Sequence, residues 1–494
     1  MFLGTGSDVG KSIIATAFCR ILKNRGYNVA PFKAQNMSNN SYVTIEGGEI
    51  GRAQAAQAEA AGILPSVHMN PVLLKPTGQM GSQVIVCGKV FKNLSARDYY
   101  AYKNLIHEKV IESYHTLAGQ YECIVMEGAG SCCEVNLRKH DIVNFEMAIK
   151  AKAPVIIVAD IDRGGVFAQI VGSMSLISRE EQDLVAGFMI NKFRGDPALF
   201  QEGIHFIEAK TQKPVFGLIP WYDHIHIDME DSMSLDLSQP KQSSAPINIA
   251  VIRLPHISNF TDVEALENEP EVAIHWLTRP NQIFQFDAII IPGSKNVIHD
   301  TCSLKEWGWF DALHTYTHKK QGMIVGLCGG FQMLGKEIHD PHGVESKDSS
   351  IIGIGILDIS TEMDTVKVVK KSCGQDQLFH APVQGYEIHM GKTALGDRVT
   401  PFIDLDGHTD GAVSKSETVI GSYFHGLFDS GIFRHRFLQK LADMKGIQLD
   451  HQIAHKDYWD IKEMNYDRLA DHVSQYCDVE KIIKECLKNK LLIK

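Results

Sequence analysis

Gly326-Leu327-Cys328-Gly329-Gly330-Phe331-Gln332-Met333-Leu334 follows the apolar run Met323-Ile324-Val325. The run reads as a buried strand, and Phe331 to Lys336 reads as the start of a helix. Gly-x-Cys-x-Gly between strand and helix is the thiol form of a nucleophile elbow. The glycines let the chain turn sharply and leave room around the sulfur. The turn points Cys328 at a helix N-terminus, whose field favours thiolate, the nucleophilic form. The backbone N–H of Gly329 is placed to donate to an oxyanion. A lone cysteine is usually a buried structural residue. Glycines on both sides at this spacing favour the nucleophile.

A thiol nucleophile needs a base. His425, in Gly421-Ser422-Tyr423-Phe424-His425-Gly426-Leu427-Phe428, ends an apolar strand. A strand-end histidine beside an elbow can take the thiol proton. Upstream, Phe286 to Ile291 reads as a strand running into Pro292-Gly293-Ser294-Lys295-Asn296. That turn offers a second oxyanion N–H, from Gly293 or Ser294. In this order the three pieces resemble class I glutamine amidotransferase domains. The resemblance implies hydrolysis of glutamine to glutamate and ammonia through a Cys-bound thioester. In most of that family a Glu two residues after the His orients it, but Leu427 stands there. The reading therefore expects a Cys328–His425 pair, and a glutaminase that is slow unless the rest of the enzyme is loaded. Glu387 and Asp429 are the candidates for a carboxylate reaching His425 from elsewhere.

Near the start, Gly4-Thr5-Gly6-Ser7-Asp8-Val9-Gly10-Lys11-Ser12 precedes a helical stretch, Ser12 to Lys23. This is a phosphate-binding loop: backbone N–H groups cradle phosphates, Lys11 reaches the terminal phosphates, and Ser12 holds Mg²⁺. It is one residue longer than the commonest form and resembles that of dethiobiotin synthetase and its relatives. Only Met1-Phe2-Leu3 precede it, so the first strand is either very short or begins before this sequence does. Asn28 to Phe32 reads as a strand leading into Lys33-Ala34-Gln35-Asn36-Met37-Ser38-Asn39-Asn40. Parallel sheets bind ligands at the carboxyl ends of their strands. Lys33 with the amides Gln35, Asn36 and Asn39 there suits an anionic, hydrogen-bonding substrate. Gly48 to Ala61 reads as an Ala-rich helix. Glu122 to Met126 reads as a buried strand, placing Glu127 opposite the loop as a second Mg²⁺ ligand. Pro154 to Ala159, Leu184 to Ile190 and Pro214 to Ile219 are further strands. Asn191-Lys192 resembles the base-reading loop of P-loop proteins. Arg194 stands where an Asp would select guanine, so the base expected is adenine.

Ser238 to Pro246 is the clearest linker. The chain divides into residues 1–237, an α/β unit with a P-loop; the linker 238–246; residues 247–450, a second α/β unit carrying the elbow; and 451–494, amphipathic helices. The expected fold is two doubly wound α/β domains, P-loop NTPase-like and flavodoxin-like. Hydrophobic residues are 44% and charged residues 22%, ordinary for a globular protein. A formal net charge of −10 argues against nucleic acid or an anionic membrane as partner. The ten cysteines form no CxxC pair, and Cys132-Cys133 is a vicinal pair rather than a metal clamp. With a working thiol this suggests a reducing cytoplasm. No apolar run reaches membrane-span length, and no signal peptide precedes the first motif.

The motifs together, from Pro31–Asn40 through Gly326–Gly335 to Gly385–Gly391, resemble the glutamine-hydrolysing adenosylcobyric acid synthase family of the cobalamin pathway over essentially the whole chain. The resemblance implies amidation of the b, d, e and g carboxylates of adenosylcobyrinic acid a,c-diamide, with ATP, Mg²⁺ and glutamine. It also implies that Lys33 sits between the substrate carboxylate and the γ-phosphate. The chemistry fits independently, since a carboxylate needs activation, here as an acyl phosphate, before ammonia attacks it. One alternative is cobyrinic acid a,c-diamide synthase, against which the Lys33 to Asn40 motif argues. Another is a partition-type P-loop ATPase with an inactive hydrolase domain. The Cys328–His425 pair, and the lack of a second lysine early in the loop, argue against that.

Overall fold

Short runs of Val, Ile and Ala build two parallel sheets, and the period-2 alternation of a strand gives each sheet two buried faces. The computed structural model describes residues 1–76, 81–138, 141–222, 225–228, 245–319, 322–346, 349–449 and 456–488. In the first sheet Phe2–Gly4 pairs in parallel with Val155–Asp160, then come Val185–Phe193 and Val215–Pro220. Val29–Phe32 pairs with Cys123–Met126. That pair joins the sheet where Gly128 N donates to Phe2 O at 2.9 Å. Ile157 and Ala159 pack with Leu3 and Ile190 in one core, while Ile156 and Val158 pack with Phe2 and Met189 in another.

The second sheet has five parallel strands in the order Val272–Leu277, Ile247–Ile252, Ala288–Ile291, Met323–Leu327 and Val419–Ser422. Ala412–Ser414 and Val399–Thr400 extend it antiparallel. A long antiparallel hairpin, Ile359–Asp376 with Pro382–Leu395, lies beside it. Beyond Ser422 the chain leaves the parallel sheet, and Phe424–His425 pairs with the hairpin, His425 opposite Tyr386. The architecture is α/β with parallel sheets in both halves. One expected element differs: Glu49–Gly51 forms a strand on Ser41–Val43, so the Ala-rich helix begins only at Arg52. Residues 238–244 of the expected linker lie outside the described residues. Among the described residues no helix is long and apolar enough to cross a membrane.

The C-terminal helices Tyr458–Gln475 and Val479–Lys488 return to the first sheet. Leu469 and Val473 join the core that holds Phe2 and Ile14. Arg20 Nε bonds Asp467 Oδ1 at 2.6 Å. Beneath this helix lies a buried charged cluster. Arg52 pairs with Asp228, and its Nη1 lies 3.6 Å from Glu59 Oε1. Lys462 pairs with Glu59 and lies 3.1 Å from Asp228 Oδ2. Tyr466 OH donates to Glu59 Oε2 at 2.7 Å. Arg52 and Lys462 offset the charges of Glu59 and Asp228, without which burial would cost several kcal/mol per ion. Lys462→Met leaves the carboxylates one cation short. A destabilisation of about 3 to 5 kcal/mol follows for a broken buried pair. The thermal midpoint should drop clearly for Lys462→Met and hold for exposed Lys484→Met; equal midpoints would show the cluster to be dispensable.

Candidate functional sites

The elbow is formed as the glycines suggest. Cys328 sits between strand Met323–Leu327 and helix Gly329–Leu334 with φ 51° and ψ −107°. A non-glycine residue rarely adopts that backbone, and such strain clusters at reactive groups. A Cβ on Gly330 would stand 2.0 Å from Ile291 O, so only glycine lets the helix start this close to the neighbouring strand. Cys328 is 9% exposed, and its Sγ lies 3.4 Å from Ile388 O. The Gly293–Ser294 turn reaches the elbow, with Ser294 N 2.8 Å from where a Cβ on Gly329 would stand. Lys295 N donates to His256 O. Alternation along that antiparallel ladder makes Gly293 opposite Ser258 the bonded pair and leaves Ser294 N–H facing the elbow. Asp300 holds this turn, accepting Ser294 Oγ at 2.7 Å and His256 Nδ1 at 2.7 Å. His256, His299 and Asp300 gather within 4.8 Å of one another.

His425 is completely buried and has a carboxylate partner. Asp262 Oδ2 lies 2.7 Å from His425 Nδ1, and Asp262 Oδ1 accepts Gly426 N at 3.1 Å. The expectation of a bare Cys–His pair is therefore corrected. The acid comes from the 3-10 turn Phe260–Val263, across the fold, and not from the position of Leu427. Neither Glu387 nor Asp429 is the carboxylate on His425 Nδ1, which is that of Asp262; Glu387 is held by Ser372, His389 and His408. Burial opposes the charged imidazole, but the Asp262 carboxylate and a hydrogen bond with Cys328 outweigh it, raising His425 to about 10. At neutral pH His425 is thus an imidazolium facing the sulfur.

Two further residues touch His425 and were not singled out from sequence. Tyr386 stacks on the imidazole, with ring centroids 5.1 Å apart at 17°. Asn259 Nδ2 lies 3.4 Å from Nε2 and 3.5 Å from Nδ1. Both also reach the other half of the chain. Asn259 Oδ1 accepts Ser41 N at 3.2 Å, and Tyr386 OH donates to Ser41 O at 3.4 Å. Asn259 holds a left-handed backbone, φ 50°, a conformation asparagine tolerates better than most residues.

In the first half, Gly4, Thr5, Gly6, Ser7, Asp8, Gly10, Lys11 and Ser12 form the turn from strand Phe2–Gly4 into helix Lys11–Asn24. Lys11 Nζ folds back onto Gly6 O and Gly130 O, each at 2.9 Å. Glu127 is buried at the end of Cys123–Met126. It accepts Ser12 Oγ at 2.7 Å and Lys33 Nζ at 2.9 Å on Oε1, and Gln57 Nε2 at 2.7 Å on Oε2. Burial pushes its carboxyl up, but Lys33 and the three hydrogen bonds win and hold it below the ordinary range. Ser12, Lys33 and Glu127 thus converge on one point beside the loop. A hydroxyl and a carboxylate 2.7 Å apart are oxygen ligands of the kind Mg²⁺ takes. Asn191 lies beside the phosphate loop. Its Nδ2 donates to Val9 O at 2.9 Å, and a Cβ on Gly10 would meet it at 2.1 Å. Its amide therefore braces the phosphate loop.

Gln35 lines a cavity of about 690 Å³ next to Gly130, with Met37, Leu74, Leu94, Tyr99 and Phe145 among its walls. Asn36 faces elsewhere, donating to Gln54 Oε1 at 2.9 Å. Asn39 Oδ1 is buried with no hydrogen-bond partner among the described residues.

Comparison with known proteins follows the same division. Residues 1–235 match the CobQ/CobB/MinD/ParA nucleotide binding domain, and residues 248–433 match the CobB/CobQ-like glutamine amidotransferase domain. A cobyric acid synthase of Syntrophobacter fumaroxidans is 48% identical, over 98% of this chain and 97% of its own length. One from Photorhabdus laumondii is 46% identical, over 99% and 98%. One from Chlorobium phaeobacteroides is 45% identical, over 97% of each. Identity at this level along the entire length, across both halves, places the chain in the cobyric acid synthase family.

Proposed function

We propose that this enzyme uses ATP and glutamine to amidate the b, d, e and g carboxylates of adenosylcobyrinic acid a,c-diamide, giving adenosylcobyric acid. Residues 1–237 are the ligase half and 247–450 the glutaminase. The observation that carries the reading is one chain holding a Cys328–His425–Asp262 triad and a Lys11–Ser12–Lys33–Glu127 phosphate site, with Ser41 between them.

The Cys328 sulfur, its proton already held by His425, attacks the glutamine amide carbon. Gly329 N–H and Ser294 N–H, the latter better aimed than Gly293, receive the oxyanion. The His425 imidazolium, stabilised by Asp262, gives its proton to the departing nitrogen, so ammonia leaves and a thioester remains. His425, now neutral, takes a proton from water, which releases glutamate. In the other half the substrate carboxylate takes the γ-phosphoryl group of ATP, and ammonia displaces phosphate from the acyl phosphate. Lys11 and Lys33 offset the charge on the transferring group. Ser12 and Glu127 would hold Mg²⁺, which when bound neutralises phosphate charge. Lys33 now rests on Glu127, so it is poised to exchange that carboxylate for the substrate's. The apolar cavity beside Gln35 suits a bulky macrocycle with a polar rim.

The two halves are separable by variant. Cys328→Ala should abolish glutamine-dependent amidation and leave ammonia-dependent amidation largely intact. Lys11→Ala should reduce both, by about 10³-fold or more for loss of a preorganised charge at a phosphoryl group. Equal loss of both activities in folded Cys328→Ala would sink the division of labour.

Asp262→Asn tests the triad acid. Without the carboxylate His425 returns towards the ordinary imidazole range and loses its orientation. Glutamine hydrolysis should fall by about 10²-fold or more, with the ammonia-dependent reaction unaffected. A glutaminase rate unchanged in the variant would leave Asp262 a structural role only.

Coupling between the halves needs a different ground from a missing carboxylate. Ser41 follows the Lys33 to Asn40 segment directly and touches both Asn259 and Tyr386, so loading the ligase site has a short path to His425. Glutamate release should rise when ATP and corrinoid are added, and Asn259→Ala should shrink that rise. An undiminished rise in the variant would exclude this route.

A further inference from the structure

The turn after strand Cys123–Met126 carries two adjacent cysteines that neither half-reaction employs. On an extended strand, neighbouring side chains point to opposite faces. In this turn Cys132 Sγ and Cys133 Sγ lie 3.5 Å apart. Both are free, both are only partly buried, and both line the cavity of about 690 Å³, so a small reagent in the cavity meets them. The hydrogen bond from Cys132 lowers Cys133 to about 7, helped by Ser173 and Arg138 against burial. The same contact pushes the Cys132 thiol up. The contact favours thiolate on Cys133 over Cys132, while Cys133 Sγ also lies 3.5 Å from Ser173 O. The turn is also tied to the phosphate loop. Cys132 N donates to Gly4 O at 2.9 Å, and Gly130 O accepts Lys11 Nζ at 2.9 Å.

We propose that Cys132 and Cys133 are an oxidation site on the cavity wall, closed to a vicinal disulfide by hydroperoxides, and that closure switches off the phosphate-loop half. The second clause rests on the ligase reading; the first does not. The Cys133 thiolate attacks a peroxide oxygen, the O–O bond breaks, and an alkoxide or hydroxide leaves with the electron pair. That leaving group takes the Cys132 proton. The Cys132 thiolate then attacks Cys133 Sγ, the S–O bond breaks, and the departing hydroxide picks up a proton from solvent. Two thiols and one hydroperoxide become one disulfide, one alcohol and one water, with two electrons passing from sulfur to oxygen. Closure draws the sulfurs from 3.5 Å to about 2 Å. The turn must move with them, and Gly130 O and Cys132 N are the groups through which it touches Lys11 and Gly4.

The test uses the full chain and hydrogen peroxide, followed by alkylation, digestion and mass measurement of the peptide spanning both cysteines. The expected peptide lacks two hydrogens, carries no alkyl group, and reverts with dithiothreitol. Ammonia-dependent amidation, which does not need Cys328, should fall on peroxide treatment by about 10²-fold, the cost of displacing a reacting group by an ångström, and recover with the thiol. For Cys132→Ser and Cys133→Ser, the ratio of treated to untreated activity should stay near one. Two alkylated sulfurs after peroxide would overturn the site. A disulfide without loss of activity, or equal loss in Cys133→Ser, would overturn the switch. If untreated enzyme amidates nothing, the ligase reading fails, and the peptide mass alone decides the site.

Discussion

The rest of the structure depends on burying Arg52, Lys462, Asp228 and Glu59 together. None of these side chains is tolerable alone in a low-dielectric interior, so each helix that carries one is held against the others. Arg52 and Glu59 come from the helix after the Ser41–Val43 hairpin, and Lys462 comes from the C-terminal helix. Arg52 also lies over the Tyr42 ring, 4.7 Å from its centroid, and Tyr42 meets Tyr386 edge-on at 4.9 Å. The cluster thereby fixes the strand that touches the triad. Charge pairing in one place sets the geometry at His425 in another.

That placement answers a chemical constraint. Ammonia is a nucleophile only while it keeps its lone pair, and bulk water at neutral pH protonates it. An enzyme that makes ammonia at one centre and spends it at another needs a dry contact between the two. Ser41, Asn259 and Tyr386 are all buried and lie between His425 and the Lys33 to Asn40 segment. On the proposed reading, the contact that excludes water is also the contact that reports loading.

Local chemistry was legible in the sequence, and long-range chemistry was not. Cys328 could be read because the elbow needs glycine at defined offsets within a few residues, and the phosphate loop likewise. Asp262 could not, because it reaches His425 from a turn 163 residues upstream. A motif that normally carries its acid beside the histidine diverts attention from a distant one. The available signal was the pair of polar residues Asn259 and Asp262 in the loop that follows strand Ile247–Ile252. Asn191 was legible as a strand-end residue, but no spacing tells that its amide also holds the loop through Val9 O. The hairpin Ile359–Asp376 with Pro382–Leu395 escaped because its long strands mix charged and apolar residues without one clean face. The return of the C-terminal helices to the first sheet is tertiary, and their amphipathic pattern names no partner.

The most direct measurement is the product of a complete reaction. The protein is incubated with adenosylcobyrinic acid a,c-diamide, ATP, Mg²⁺ and glutamine labelled with ¹⁵N at the side-chain amide, and the corrinoid is followed by mass. The account predicts stepwise conversion of the b, d, e and g carboxylates to amides carrying the label, with ADP and glutamate formed alongside. A corrinoid recovered unchanged while ATP and glutamine are consumed would contradict it.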